Sequence, residues 1–424
     1  MIKEDFLHYL WKHKLFDARQ LVSSSNENIQ ILNSGMHNFN AGPDFFNAKI
    51  KIDNQVWAGN VEIHIKSSDW YVHNHEVDKA YDSIVLHVVW ENDMPIYRKN
   101  NTTITTLVLQ DYVSKEMLDS YYKLFFRKEN WINCEKNIAT IDAFTFNNWK
   151  ERLYLERLND KSEVILSLLK HSKNDWEVVL FKLLAKNFGL KVNGESFFNL
   201  ANSFEFSVFR KQKSNLQLLE ALLFGQASFF DVDFDEPYFN LLKNEYAFLQ
   251  VKYKLKPIHK SEVKFFRLRP NNFPTIRLSQ LANLYFNKPN LFSKIMAVKT
   301  IEDYYDLFTV TTSEFWETHY SFKTSTKKQI KKTTKSFIDL LLINTIIPLR
   351  FVYEKHIGKL NEEKIIALIQ QIKPEKNGVI DKFKALQITS KNALETQALI
   401  QLKTKYCTPK KCLQCVVGIS LIKM

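Results

Sequence analysis

Glycine and proline are scarce in this chain, at nine and ten of 424 residues, which argues against long flexible linkers. Cysteine is scarcer still. Four thiols are too few for a disulfide-stapled secreted scaffold. Long hydrophobic runs are missing as well: the longest, Ile338 to Leu349, is broken by Asn344 and Pro348 and falls short of a bilayer span. The opening segment, MIKEDFLHYLWKHKLF, mixes acids and bases and has no apolar stretch of the signal-peptide kind. A cytoplasmic protein that does not engage a membrane is therefore expected.

What is present is the composition of an ordinary globular protein, 45% hydrophobic and 25% charged, long enough for two or three domains. The net charge of +13 is unevenly placed: Tyr320 to Met424 holds 20 Lys/Arg against 7 Asp/Glu, and the rest is balanced. A basic C-terminal region is the electrostatic footprint of a polyanion binder, so nucleic acid is the expected partner. The alternative is plain solvation, with lysine abundant for reasons unrelated to binding.

Hydrophobic periodicity divides the chain. Phe6, Leu10, Trp11 and Leu15 have helical spacing. NIQIL (Asn28 to Leu32), Phe45 to Ile52, Val56 to Lys66, Ser83 to Trp90 and Thr103 to Leu109 read as strands. Asp53-Asn54 fits a two-residue turn between the second and third, with Trp57, Val61 and Ile63 facing inward. Beyond Ile141 the spacing is that of helices, for example Asn147 to Lys170, Pro237 to Lys254 and Ser336 to Lys355. The expected organisation is an α/β domain over 1–140, a larger all-α domain over 141–406, and a cysteine-rich staple over 407–424.

The densest chemistry lies in residues 40 to 87. Asp44 is followed by Glu62, His64 and Lys66, then by His73, His75, Asp78 and His87; four of the eleven histidines fall within 24 residues. Glu62, His64 and Lys66 alternate along a strand and share a face. Two carboxylates suit magnesium or manganese, and a nearby cation offsets charge in phosphodiester hydrolysis, giving Asp44, Glu62, His64 and Lys66 as catalytic candidates. His73 and His75, with His64 and His87, equally suit zinc or another transition metal. Surface histidines in a loop and a core histidine at His87 are the plainer alternatives.

Pro43-Asp44 and Glu62-Ile63-His64 resemble the motif of the PD-(D/E)XK nuclease superfamily, over residues 1 to 110. The resemblance implies a mixed sheet and metal-dependent cleavage of DNA or RNA. The motif lysine is replaced by His64, with Lys66 as a substitute, so a catalytically inactive nucleic-acid-binding or scaffolding protein is the second expectation, and a transition-metal hydrolase the third. A simple turn at Asp53-Asn54 pairs Asp44 with Ile63. A one-residue bulge, near Gly42 or Gly59, is then needed to bring Asp44 to the face of Glu62. Over nearly the whole chain, NAGPDF, GNVEIH, SSDWYVHNH, LEALLFGQA, FRLRPNNFPTIRLSQLA and YCTPKKCLQC look like an uncharacterised bacterial family, which implies no activity.

Cys407, Cys412 and Cys415 form a tight C-terminal set, and Cys134 is the only other thiol. Four such ligands suit zinc or an iron–sulfur cluster. Some PD-(D/E)XK nucleases hold a cluster with one distant and three C-terminal cysteines, although there the lone cysteine precedes the nuclease motif. Finally, FRLRPNNFPTIR places Arg267, Arg269 and Arg277 in a proline-flanked extended segment, with a helix resuming at Ser279. Guanidinium groups pair with phosphates, making these nucleic-acid contacts; ion pairs with the first domain are the alternative.

Overall fold

The computed structural model describes residues 2–126 and 130–423. The chain forms two compact units, an N-terminal mixed-sheet unit and a mostly helical one.

The first unit comprises Met1–Trp149, Leu386–Ile388 and Leu402–Met424, so the C-terminal cysteine segment belongs to it. Seven strands build its sheet: β1 (Leu21–Val22), β2 (Asn28–Asn33), β3 (Met36–His37), β4 (Phe45–Ile52), β5 (Gln55–Lys66), β6 (Ile84–Glu91) and β7 (Thr106–Val108). Their order is β1-β2-β4-β5-β6-β7, with β3 on the edge of β4. The pairs from β1 to β5 are antiparallel, and β5-β6 and β6-β7 are parallel. The short β1 and β3 lack the periodicity that marks the longer strands. Trp57 is half exposed and not inward, because β5 outruns the core near its start and is buried on both faces only from Val61 to His64.

Helix α1 (Glu4–His13) buries Phe6, Leu7, Leu10 and Trp11, with acids in its first turn and bases in its last, as the helix dipole favours. It ends at Lys14, whose left-handed backbone returns its N–H to the carbonyls of Leu10 and Trp11. Helix α1 packs on β5, a one-turn helix α2 (Asp69–Val72) follows β5, and α3 (Lys115–Phe125) packs against the C-terminal helix Val416–Lys423.

The second unit, Lys150–Ala385 with Thr389–Gln401, is helical. Asp175 and Asn215 cap the helices Trp176–Phe188 and Leu216–Gln226 through their side chains. Clustered rings, Phe181 with Phe209 and Tyr285, and Phe224 with Trp316 and Phe322, fill its core. One correction falls here. Pro274 does not flank an extended segment; it opens the helix Pro274–Asn287 at a position that needs no N–H, which puts Arg277 on the helix. The stretch Lys335–His356 is long and apolar enough to cross a membrane, the only such helix among the described residues, but most of it is buried in this unit.

Candidate metal centre in the sheet unit

The loop entering β4 is tied down by one side chain. Asn38 donates from Nδ2 to the carbonyls of Asn40 (2.9 Å) and Pro43 (3.0 Å), and its Oδ1 accepts from the N–H of Asn40. Asn38 N–H also donates to Asp44 O at 2.7 Å. Gly42, with φ +100°, takes the turn an L side chain resists.

Register then decides the site. Phe45 pairs with Val61 and Ala48 with Gly59, so two residues of β4, Phe46 and Asn47, oppose Asn60 alone. This is a β-bulge, held by Asn47 in the left-handed region (φ 58°) and by its N–H donating to Asn60 Oδ1 at 3.1 Å. It lies at Phe46–Asn47 on β4, next to the Ala48–Gly59 pair and so near Gly59, not Gly42, and brings Asp44 opposite Glu62. The N–H of Asp44 donates to Glu62 Oε2 (3.2 Å), and Asp44 Oδ2 accepts from the N–H of Ile63 (2.9 Å).

The segment after β5 folds back over it. Asp93 accepts from the hydroxyls of Ser67 (2.9 Å) and Ser68 (2.7 Å), and Lys66 N–H donates to Asp69 Oδ2 (2.9 Å). Buried Trp70 closes this turn beneath His75, whose ring stacks on Tyr81 at 3.7 Å. His73 and His75 thereby reach His64, and the three rings offer nitrogen atoms all within 4.8 Å of one another. His64 Nε2 lies 3.1 Å from His73 Nδ1, and His64 Nδ1 lies 2.8 Å from His87 Nε2 on β6.

A second trio flanks the first: Glu4 and His8 of α1 with Asp44, again within 4.8 Å. His8 Nε2 sits 3.2 Å from Asp44 Oδ2. Glu62 stands between the trios. Its Oε1 is 3.3 Å from His75 and 3.5 Å from His64, and its Oε2 faces Asp44.

Burial and crowding shift the protonation of these groups. Burial, then the charge of Asp44, pushes the Glu62 carboxyl up to about 9. Burial and the neighbouring His75 and His73 push His64 down to about 3, and burial pushes His87 well below its ordinary range. For His8, burial opposes the charge, but Asp44 outweighs it and the net shift is upward. At neutral pH this leaves His64 and His87 neutral and Glu62 protonated, and a cation bound there would displace the Glu62 proton.

Lys66 is not brought in: its ammonium lies at the surface, 3.6 Å from Glu91. Asp78 caps the turn Lys79–Tyr81 through the N–H of Ala80. Glu4 and His8 were missed by sequence reasoning, although their i, i+4 spacing on an otherwise apolar helix face was a usable signal.

The four cysteines, distant in sequence, line one small cavity together with Asn133, Tyr406 and Gly418. Asn133 Nδ2 donates to Cys412 Sγ at 3.5 Å. A side chain at Gly418 would strike the carbonyl of Cys412, so only glycine lets the C-terminal helix start there. Burial and the neighbouring sulfurs push Cys134 up to about 12 and Cys412 up to about 11. Among the described residues the trios with ligand atoms within 4.8 Å are the two above, and the thiols form none.

The three arginines separate. Arg267, in the left-handed region at φ 64°, is exposed, with its guanidinium over Phe266; Arg269 is exposed at the rim of a cavity, and Arg277 is buried in its wall.

A sheet unit with a histidine-carboxylate centre and a helical unit thus define the chain. It belongs to the DUF2851 family, described as a protein of unknown function, whose model matches residues 4–378. No curated protein and no solved structure matches it.

Proposed function

We propose that the chain is a metal-dependent phosphodiesterase acting on DNA or RNA. The observation that carries the reading is the bulge at Phe46–Asn47, which sets Asp44 opposite Glu62 and leaves Glu62 shared between two ligand trios. Glu4, His8 and Asp44 would hold one divalent ion and His64, His73 and His75 the other, with Glu62, which lies beside both trios, as a further candidate ligand. Manganese accepts both carboxylate and imidazole, and magnesium suits the acidic trio. Bound there, such ions polarise the phosphodiester and supply hydroxide at neutral pH. The chain's own part is to keep the ligands neutral or paired and oriented: His87, hydrogen-bonded to His64 Nδ1, fixes that ring in the manner of an outer-shell partner. The order helix, antiparallel strands, then a parallel strand supports the PD-(D/E)XK resemblance. His64, at the motif lysine, is a ligand or positioning group in this reading, since both ring nitrogens face other histidines.

The histidine trio favours a second reading, a transition-metal hydrolase with zinc at His64, His73 and His75. Metal content after purification without chelator, followed by cleavage assays on single- and double-stranded DNA and RNA with magnesium, manganese and zinc, separates the two. Asp44→Ala and Glu62→Ala are expected to lower manganese-dependent cleavage by at least ~10³-fold, about 4 kcal/mol of activation free energy. Cleavage that survives either substitution overturns the site. A wild-type protein that binds nucleic acid but cuts none favours a catalytically silent binder.

For the cysteines we propose a bound cofactor. Tetrahedral zinc with bonds near 2.3 Å holds sulfurs roughly 3.8 Å apart. Four thiolates around one cavity suit zinc or an iron–sulfur cluster, which metal and sulfide analysis tells apart.

A further inference from the structure

A second cavity, of about 800 Å³, lies wholly within the helical unit. Its cations are Arg269, Arg277, Lys332, Lys373 and Lys376; the Lys331 backbone also contributes, but its ammonium is turned away to the carbonyls of Trp316 and Glu317. Two acids line it, and each already has partners, Lys373 of the cavity among those facing Asp339. Asp339 accepts from the Tyr305 hydroxyl at 2.7 Å, and Glu375 accepts from Gln397 and faces Arg157 and Lys161.

Arg277 is the anomaly. It is 6% exposed, and among the described residues it has no carboxylate within ion-pair distance. Its guanidinium stacks 3.7 Å over Phe337 and donates only to neutral amide oxygens, Gln280 Oε1 (2.9 Å) and Asn272 Oδ1 (2.6 Å); its Nε has no partner. Burial alone lowers it to about 10. A guanidinium does not shed its proton at neutral pH, so the charge stays, and an unpaired buried charge costs several kcal/mol. Proteins keep such a group where an anion completes it.

The surrounding groups are donors. The Tyr320 hydroxyl has one proton, for the oxygen of Asn271 (3.1 Å) or of Gln329 (3.3 Å), and the oxygen of Asn272 accepts from Arg277, which leaves the NH₂ groups of these amides to donate. Ile276, Phe337 and Leu340 add an apolar wall. The volume lies in the range of small-ligand pockets and exceeds what a bare oxyanion fills.

We propose that this cavity binds a phosphate ester of nucleotide size, with Arg277 taking the phosphate and the apolar wall taking the rest. The source is either a free nucleotide or the 5′-phosphorylated end of a strand. Ligation differs from that of the metal centre, and the site stands without the cleavage reading.

Thermal unfolding of the full-length protein in EDTA tests it, because no metal chemistry operates there. The probes are inorganic phosphate, AMP, a 5′-phosphorylated oligonucleotide and the same oligonucleotide with a 5′-hydroxyl. Wild type is expected to melt several degrees higher with AMP or the phosphorylated oligonucleotide. Arg277→Gln should melt as high as or higher than wild type without ligand and lose that shift. Lys332→Ala/Lys373→Ala, at exposed positions, should keep the ligand-free midpoint and weaken binding at least ~10-fold. A strand end is the ligand if the 5′-phosphate tightens oligonucleotide binding tenfold and AMP binds more weakly; a free nucleotide is the ligand if AMP binds as well. Absence of a shift with every phosphate probe, or a shift unchanged in both variants, overturns the proposal. Phosphate binding that persists in Glu62→Ala separates this site from the metal centre.

Discussion

Glu62 illustrates what a single side chain does in this protein. It is 5% exposed, shares a strand face with His64, touches His75, and accepts from the Asp44 backbone, so the two trios meet at one carboxyl group. The histidines around it differ in burial: His73 is exposed and His75 is packed on Tyr81. His73→Ala is therefore expected to fold as wild type and to weaken metal binding roughly 10–100-fold, measured by competition with a chelating dye. His75→Ala should lose affinity and, in addition, about 1–3 kcal/mol of stability in a urea titration, since it also leaves a gap beside Trp70 and Tyr81. Equal stability of the two variants would contradict the packing role assigned to His75.

At the scale of elements, two irregularities govern the fold. The first is the β4 bulge. Asn47 holds φ 58°, a region glycine tolerates and a β-branched residue does not. Asn47→Gly should retain metal binding, whereas Asn47→Val should cost about 1–2 kcal/mol and weaken it by letting Asp44 slip off the Glu62 face; unchanged metal affinity in Asn47→Val would exclude the bulge as the positioning device. The second is the π-helical turn Leu342–Ile346, which runs into Pro348. In i→i−5 bonding the carbonyl of Ile343 awaits the N–H of residue 348, which proline lacks, and Lys161 Nζ donates to that carbonyl instead at 3.1 Å. Burial pushes this ammonium down to about 7 from its ordinary 10.5. Below about 7 both folded and unfolded chains hold the proton, and the full cost of burial is present. Between about 7 and 10.5 the unfolded chain holds a proton the folded one has released, so stability rises with pH. Relative to Lys161→Met, wild type should gain up to about 1.4 kcal/mol per pH unit across that window. A flat difference in paired urea titrations would refute it. The sequence made the long strands and helices legible because their periodicity is strong, and it also showed that Asp44 needed a bulge to meet Glu62. It pointed to Gly42 or Gly59 and hid that the extra residue sits on β4 across from Asn60, beside Gly59, because Asn47 carries no glycine signal. It hid the helix start at Pro274, because a proline beside arginines reads equally well as extended chain. The i, i+4 spacing of Glu4 and His8 was legible, but their meeting with Asp44 was not, because it depends on tertiary packing of α1 on β5.

The whole molecule returns its C-terminus to its first unit: the helix Val416–Lys423 packs on α3, and Cys407, Cys412 and Cys415 join Cys134. Closing so long a loop through a metal stabilises the unit that is closed. Cys134→Ser and Cys412→Ser are each expected to lose the bound metal and lower the melting temperature by several degrees; anaerobic wild type should be brown with iron and sulfide in equal amounts, or hold about one zinc per chain, and a protein with neither would contradict the site. Cleavage itself remains the most direct test. Protein stripped of metal and then titrated with manganese should cut DNA or RNA in proportion to ions bound, with Asp44→Ala inactive at saturation. Full manganese occupancy with no cut in any single-stranded, double-stranded or structured substrate would contradict the central claim.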